Sequence, residues 1–294
     1  MKKILFSLFL LGCSASFAHA HMFWVNVFES DAHQPPHAMV SMGWGHTLPM
    51  DDILTDPNSA RIGVEKLELY DPALKKTDLI KIKSKITEAE VTNEHFDIFP
   101  ADLAAQKIAL KKDSLPGVYQ IGAISKATCY THYIDNKGRY RIKHKSKDEL
   151  DNIKEIKGSL KNQSFAKAYI TLGKWTNPKP LGHKLEIIPL TDLSNVHVGD
   201  MVGVKVLFYG EPQSTSLKNN IYITAGSNTF GLDEGFNLQS FLVEGKAQFR
   251  VQSKGQWIIN TMKGEDVTKD GKLKDLYGKV DTVYHTASLT FNVK

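Results

Sequence analysis

Residues 184–212 read KLEIIPLTDLSNVHVGDMVGVKVLFYGEP and contain two β-prone runs with a turn between them. The runs, 184–189 and 201–209, are rich in β-branched and aromatic residues, which suit an extended chain. Val198-Gly199-Asp200 precedes the second run and Tyr209-Gly210-Glu211-Pro212 follows it, and glycine and proline at such places are typical of turns. The stretch therefore predicts two strands joined by a turn.

The same pattern recurs along the rest of the chain. Residues 64–70 (VEKLELY) and 79–86 (LIKIKSKI) alternate between apolar and polar side chains, which is the period of a strand with one exposed face. Further β-prone runs lie at 22–28, 38–44, 117–125, 128–134, 221–225, 246–251, 255–262 and 282–293. Turn signals at this spacing are typical of a β-sandwich. We therefore predict an all-β protein built from two tandem immunoglobulin-like or prealbumin-like β-sandwich modules.

A polar segment separates the two predicted modules. Residues 144–162 are rich in lysine and carry a few apolar residues at three-residue spacing, which favours a short surface helix or a mobile excursion. Proline and glycine at 178–182 then indicate a linker. The predicted organisation is an N-terminal β-sandwich over 21–143, a helical, lysine-rich insertion and linker over 144–180, and a C-terminal immunoglobulin-like β-sandwich over 181–294.

Composition limits the classes of protein that the chain can belong to. With 294 residues, 41% of them hydrophobic, it can bury a sizeable core, which argues against disorder and coiled coil. The 37 basic and 32 acidic residues leave a formal charge of +5 that is spread along the sequence, which argues against nucleic acid as a partner. Two cysteines are too few for a disulfide framework. Phosphate-binding and nucleophile motifs are absent in their required contexts, so we expect a protein that is not an enzyme.

Residues 1–20 are predicted to be a secretory signal peptide. Two lysines precede an apolar run that is too short to span a membrane stably, and small residues follow as far as Ala18-His19-Ala20. We therefore expect export, to a bacterial periplasm. Leu10-Leu11-Gly12-Cys13 also resembles a lipobox, so a lipoprotein anchored through Cys13 stays an alternative.

Removal of the signal peptide creates a metal-binding terminus. Cleavage after Ala20 makes His21 the first residue, and its α-amine and ring nitrogen can chelate one metal together. A second histidine would complete a three-nitrogen histidine brace. Cleavage after Ala18 is the alternative, and the resulting His19-Ala20-His21 suits square-planar Cu(II) or Ni(II). Either cut exposes nitrogen ligands, which must be deprotonated to bind, whereas lipidation of Cys13 would leave no free amine nearby.

Residues 33–52 (HQPPHAMVSMGWGHTLPMDD) provide the candidate second ligand. His46 follows a glycine bend at the end of a predicted strand, where its position would be fixed. Neutral imidazole is the commonest protein ligand for Zn, Ni, Cu and Co. We expect His37 to be a helper and His33 to be a solvated loop residue. The acidic pair 51–52 is expected to cap the segment that follows it.

His285 is the candidate third ligand, because it lies on the last predicted strand and could approach the terminus if the two modules fold together. The predicted metal ligands are therefore His21, His46, His37 and His285.

Six short stretches, spread over nearly the whole predicted mature chain, carry a family resemblance. They are His21-Met22-Phe23-Trp24, Gly43-Trp44-Gly45-His46, Pro116-Gly117-Val118-Tyr119, Leu185-Glu186-Ile187-Ile188-Pro189-Leu190, Val198-Gly199-Asp200 and Ala287-Ser288-Leu289-Thr290-Phe291. On these residues the chain resembles the periplasmic component of ABC-type cobalt/nickel uptake systems, a group that overlaps a family of unknown function, DUF4198. The resemblance implies an exported β-sandwich protein that binds a divalent metal, Ni or Co, and presents it to a membrane metal-transport complex. It supplies no ligand set and does not include the lysine-rich stretch 137–161.

Three hypotheses follow from the sequence. The first is a periplasmic metal-binding and metal-delivery protein, with Ni or Co as the expected ion and Cu or Zn as alternatives. The second is a copper oxidase or monooxygenase built on the same histidine brace, although the sequence shows no evident aromatic platform for a sugar chain. The third is a non-catalytic envelope assembly module whose histidines are incidental. We favour the first hypothesis.

Overall fold

The computed structural model describes residues 21–30, 32, 36–52, 62–82, 88–232 and 237–294. In these ranges the protein consists of strands and two single-turn 3-10 helices, Lys147–Glu149 and Lys274–Leu276, so the predicted all-β class is confirmed. The described part contains no helix that is long and apolar enough to cross a membrane. The strands are β1 (Met22–Ser30), β2 (His37–Gly45), β3 (Val64–Tyr70), β4 (Lys76–Asp78), β5 (Val91–Thr92), β6 (Asp97–Ile98), β7 (Gln106–Ala109), β8 (Gly117–Ser125), β9 (Thr128–Asp135), β10 (Tyr140–Lys143), β11 (Ile153–Leu172), β12 (Leu185–Pro189), β13 (Met201–Phe208), β14 (Glu211–Pro212), β15 (Tyr222–Ser227), β16 (Leu238–Phe241), β17 (Lys246–Arg250), β18 (Gly255–Asp266) and β19 (Thr282–Val293).

One large sheet joins the two halves of the chain. It has ten strands, in the order β16-β15-β18-β19-β11-β8-β3-β4, with β9 and β10 attached beside β11. A three-stranded sheet contains β1, β2 and β7, a four-stranded sheet contains β12, β13, β14 and β17, and β5 pairs with β6. The contact between β11 and β19 is parallel, and it is this contact that joins strands of the two halves.

The three-stranded and four-stranded sheets each pack on the large sheet and enclose a core. The three-stranded sheet contributes Val25 and Met42 to one core, where they meet Ile121 of the large sheet. The four-stranded sheet contributes Val204 to the other core, where it meets Trp257 of the large sheet. These side chains are at most 1% exposed. The protein is therefore a pair of β-sandwiches that share one sheet.

The segment 144–180, predicted as a helical insertion and linker, is mainly strand β11. This 20-residue strand pairs with β8, β9 and β19. The helix prediction is wrong because Ile153 and Ile156 lie on one face of a strand: a β-bulge shifts the register with β9 between Ile153 and Glu155, and a second shift follows between Ile156 and Gly158. A bulge adds one residue to a strand, so residues three apart can share a face that normally takes residues two apart.

The first strand is fastened to the last one through side chains. Ser288 Oγ and Asn292 Nδ2 donate hydrogen bonds of 2.6 and 2.8 Å to backbone carbonyls of β1, and Thr290 Oγ1 donates another between them. The acceptors are alternate residues of the segment 23–27. Because alternate residues of a strand face the same side, β19 presents a row of donors along β1. These hydrogen bonds hold β1 in place and thereby position residue 21, which directly precedes it.

Candidate metal centre and the adjoining cleft

His21 and His46 lie side by side at one end of the β1–β2 pair. In this antiparallel pair Met22 is opposite Gly45. His21, which precedes Met22, and His46, which follows Gly45, therefore lie at the same end of the pair. The centroids of the two imidazole rings are 4.3 Å apart and their planes are inclined by 43°. The strand register thus brings together the two histidines that the sequence analysis placed first among the candidate ligands.

The ring of His21 is held by two neighbours. It stacks on the indole of Trp44, with a centroid distance of 5.2 Å and an interplanar angle of 12°. Its Nε2 atom lies 3.6 Å from Oδ2 of Asp52, and the two side chains are 36% and 26% exposed. The ring therefore has a defined plane and a carboxylate beside one of its nitrogens, while it stays open to solvent.

The loop that carries His46 depends on Gly45. This glycine has a φ of +127°, and a Cβ atom there would lie 2.4 Å from a carboxylate oxygen of Asp51. That oxygen accepts the backbone N–H of His46 at 2.5 Å, and the N–H of Asp52 donates to the carbonyl of Trp44 at 3.0 Å. Only glycine combines this backbone angle with this close approach. The acidic pair was expected to cap the following segment, which begins at residue 53 and lies outside the described residues.

Gly43 fulfils a different need, because it makes room for the indole of Trp24. A Cβ atom at position 43 would fall 2.1 Å from that ring. The indole Nε1–H of Trp24 donates to Oδ1 of Asn26 at 2.9 Å and to the carbonyl of Pro49 at 3.3 Å. Asn26 also donates to Pro49 and accepts a hydrogen bond of 3.0 Å from Gln256 on β18. The loop after β2 is therefore tied to β1 and to the large sheet, through contacts that the sequence analysis did not identify.

His37 lies at the other end of the β1–β2 pair. It is opposite Ser30, whereas the histidine pair adjoins Met22 and Gly45. At about 3.3 Å per strand residue, the two ends are separated by roughly 25 Å. The structure therefore does not bring His37 to His21 and His46, and His33 lies outside the described residues.

His285 lies on β19 but points away from the histidine pair. Its neighbours Tyr284 and Thr286 line the same cleft as His21, so His285 projects to the opposite face of the sheet. There it is 2% exposed, its ring is near Phe165, and its Nε2 lies 3.3 Å from Oε1 of Glu265. Burial lowers the pKa of His285 to about 4. The expectation that His285 supplies a third ligand is not met. Alternate residues of β19 face opposite sides of the sheet, and His285 is on the side that faces the interior.

Side chains alone do not form a larger ligand cluster at this place. Among the residues that the structure describes, no group of three or more His, Cys, Asp or Glu side chains is arranged to hold a metal ion. Among the described residues the candidate centre is therefore a pair of imidazoles with one carboxylate nearby.

A cleft of about 350 Å³ opens beside the histidine pair. His21 and His46 contribute to its wall, and one face of β15, β18 and β19 forms its floor. Residues that face each other across these strands make up the floor: Thr224 and Asn260, Met262 and Thr286, and Gly264 and Tyr284. The opposite face of the same strands is the buried core.

The fold and the site together define a class: a double β-sandwich with a shared sheet and an exposed histidine pair at the end of its first hairpin. The family described as "Domain of unknown function (DUF4198)" matches residues 18–263, and the chain belongs to this family. Among solved structures, the fibronectin(III)-like modules of Clostridium thermocellum CbhA are similar at 9% identity, over 88% of this chain and 85% of that chain, with a TM-score of 0.19. Among curated proteins, none matches the chain significantly.

Proposed function

We propose that the protein is an exported divalent-metal-binding protein that carries Ni or Co to a membrane metal-transport complex. The observation that carries the proposal is the contact between the imidazoles of His21 and His46, whose ring centroids are 4.3 Å apart. Imidazole nitrogens bind Ni, Co, Cu and Zn well, and two of them on adjacent strand ends can share one ion. The preference for Ni or Co, and the transporter as partner, rest on the resemblance to periplasmic cobalt/nickel uptake components.

The surroundings of His21 support a specific mode of binding. Asp52 is near Nε2 of His21, which leaves Nδ1 for a metal. A metal-bound histidine almost always donates its other ring N–H to a carboxylate, a carbonyl or water, and such a partner fixes the tautomer and the plane of the ring. The stacking on Trp44 fixes the same plane from the side. Trp44 therefore sets the plane of the His21 ring, and the carboxylate 3.6 Å from Nε2 lies away from Nδ1.

The third nitrogen in this proposal is the α-amine of His21. Export and cleavage after Ala20 would free that amine, which could close a chelate ring with Nδ1 of the same residue. His46 would complete a three-nitrogen set, and its backbone N–H is already held by Asp51. Three nitrogen ligands with room for water or for a ligand from a partner suit an ion that must later be released.

The proposal is tested by Ni²⁺ titration of the exported, metal-free protein in a calorimeter. We expect His46→Ala to weaken Ni²⁺ binding by at least about 100-fold, and an additional alanine in front of His21 to have a similar effect because it removes the chelating amine. His37→Ala is the matched control, since it removes an imidazole at the far end of the same strand pair, and it should change the affinity by less than about twofold. Unchanged affinity in both the His46 variant and the extended protein would refute the proposal. The intact mass of the same preparation identifies the cleavage site and any lipid on Cys13.

A second candidate function is supported by one observation. Tyr222 and Tyr284 line the cleft beside the histidine pair, so aromatic side chains that were not evident in the sequence lie next to the candidate centre. This arrangement would suit a copper monooxygenase acting on a sugar chain. Oxidised oligosaccharides released by the copper-loaded protein only when oxygen and a reductant such as ascorbate are supplied would favour this candidate over metal delivery.

A further inference from the structure

The floor of the cleft is a sheet face on which polar groups lie beside aromatic and aliphatic carbon surface. Ile223, Ile259 and Leu289, on the opposite face of β15, β18 and β19, are buried in the core. On the cleft side the same strands present hydroxyl, amide and phenol groups, together with one methionine: Tyr222, Thr224, Asn260, Met262, Tyr284 and Thr286. Strand parity thus divides these three strands into a core face and a face that can contact a ligand.

The phenol ring of Tyr284 is placed over β18 by a glycine. Gly264 is opposite Tyr284 in the β18–β19 ladder. A Cβ atom at position 264 would lie 2.9 Å from Cε1 and 3.3 Å from Cδ1 of the tyrosine ring, so the ring occupies the space that a side chain would fill. Gly264 is not among the glycines with positive φ, so the close approach of the ring, rather than the backbone angle, excludes a side chain there. The ring lines the cleft as an aromatic surface whose position is set by the sheet.

The described part of the cleft lining carries no formal charge apart from the two histidines. None of the described residues that line it is Lys, Arg, Asp or Glu. Phosphate or carboxylate ligands are usually met by Arg, Lys or helix N-termini, and cationic ligands by carboxylates, and the described lining offers neither. The cleft is therefore suited to a neutral ligand.

We propose that this cleft is a binding site for a neutral carbohydrate. The C–H face of a sugar ring packs on the aromatic ring of Tyr284, and its hydroxyl groups exchange hydrogen bonds with the side-chain amide of Asn260. The volume of about 350 Å³ lies within the range of small-ligand sites, ~300–1,000 Å³. This inference needs no metal, so it is independent of the proposed metal delivery.

The test uses metal-free full-length exported protein in EDTA and four neutral oligosaccharides as probes: cellohexaose, xylohexaose, mannohexaose and chitohexaose. Binding is followed by calorimetry and by NMR chemical-shift changes. We expect at least one probe to bind, Tyr284→Ala to weaken that binding by about tenfold, and Tyr284→Phe to retain it, because the ring rather than the hydroxyl is the contact surface. Gly264→Ala should also weaken binding, since the new Cβ displaces the ring.

Tyr277→Ala is the matched control, because Tyr277 is a 57% exposed tyrosine outside the cleft lining. Thermal unfolding of each variant reports whether it is folded. Absence of binding by the unsubstituted protein to all four probes at about 10 mM would overturn the proposal, as would equal affinities of the Tyr284→Ala and Tyr277→Ala variants. A Ni²⁺ titration of the same preparations distinguishes the metal-binding proposal from the carbohydrate-binding proposal. An unsubstituted protein that binds a sugar but no Ni²⁺ would contradict the metal-binding proposal alone.

Discussion

Replacing Lys167 by methionine should lower the free energy of unfolding by about 3–5 kcal/mol. Lys167 lies on β11 and its ammonium is 2.8 Å from Oε1 of Glu186 on β12, with the two side chains 2% and 1% exposed. Glu186 also accepts the backbone N–H groups of Leu181 and Gly182. Removal of the lysine leaves a buried carboxylate with two neutral donors and no countercharge. An uncompensated buried charge is among the most destabilising changes that one substitution can make.

The sign of the pH effect follows from the environment of Glu186. Burial raises the pKa of its carboxyl group, but the charge and hydrogen bond of Lys167 outweigh burial and hold the pKa below its usual value. The pair therefore stabilises the protein above the unfolded-state pKa of glutamate, and this contribution is lost as the pH falls through the folded-state pKa. Without Lys167, burial dominates and the pKa rises. The deficit of the Lys167→Met variant should then shrink as the pH is lowered.

Urea denaturation at constant m-value measures this effect, and the melting temperature should fall by about 10 °C. The matched control is Lys157→Met, which removes a surface ion pair with Glu155 in which the side chains are 45% and 55% exposed, and it should cost less than about 1 kcal/mol. The double variant Lys167→Met, Glu186→Gln should recover much of the loss, because the amide carries no charge and its single oxygen still accepts one of the two backbone N–H groups. Equal costs for the Lys167 and Lys157 variants, or a double variant no more stable than Lys167→Met, would refute the reasoning.

Three further predictions concern buried groups. Burial lowers the pKa of His183 to about 4, so stability should be full above the unfolded-state value near 6.5 and decline towards pH 4, and His183→Phe should flatten this part of a urea-midpoint profile against pH. Gly43→Ala should cost about 1–3 kcal/mol because its Cβ meets the ring of Trp24, whereas Gly158→Ala, with open space around its Cβ, should be nearly neutral in the same melts. Ser288→Ala leaves a β1 carbonyl without its donor and should cost about 1–3 kcal/mol, with faster amide exchange in β1; unchanged exchange there would contradict the fastening of β1 to β19.

The strands could be predicted from sequence because alternation and turn residues are local signals. The same locality explains the error at β11. One bulge, between Ile153 and Glu155, places Ile153 and Ile156 on one face at a spacing of three, and in sequence this cannot be distinguished from one side of a helix. The parallel pairing of β11 with β19 joins the two sandwiches through one sheet. It depends on contacts between residues far apart in the chain, so no periodic pattern in the sequence predicts it.

The candidate site was predictable in part for a related reason. Gly45 and His46 could be identified because a glycine bend after a strand is a local feature. The wrong expectation for His285 came from treating proximity of strands as proximity of side chains, although parity directs alternate residues to opposite faces. Asp52 and Tyr284 approach the site only through the path of a loop and the register of strand pairs, so local signals favoured a cap over a metal-site role for Asp52 and gave Tyr284 no role.

The hydrogen bonds between β1 and β19 have a consequence for the order of folding. They join residues 265 positions apart, so the first strand of the chain is secured only after the last strand exists. Contacts of such high sequence separation form late and slowly, because the entropy of closing the intervening chain must be overcome first. The β1–β2 hairpin can bring the two histidines together locally, but it is anchored to the large sheet through this row only when the last strand is present. In a truncated chain that ends before residue 288 the histidine pair would therefore lack its attachment to β19, and with it the wall that it forms beside the cleft.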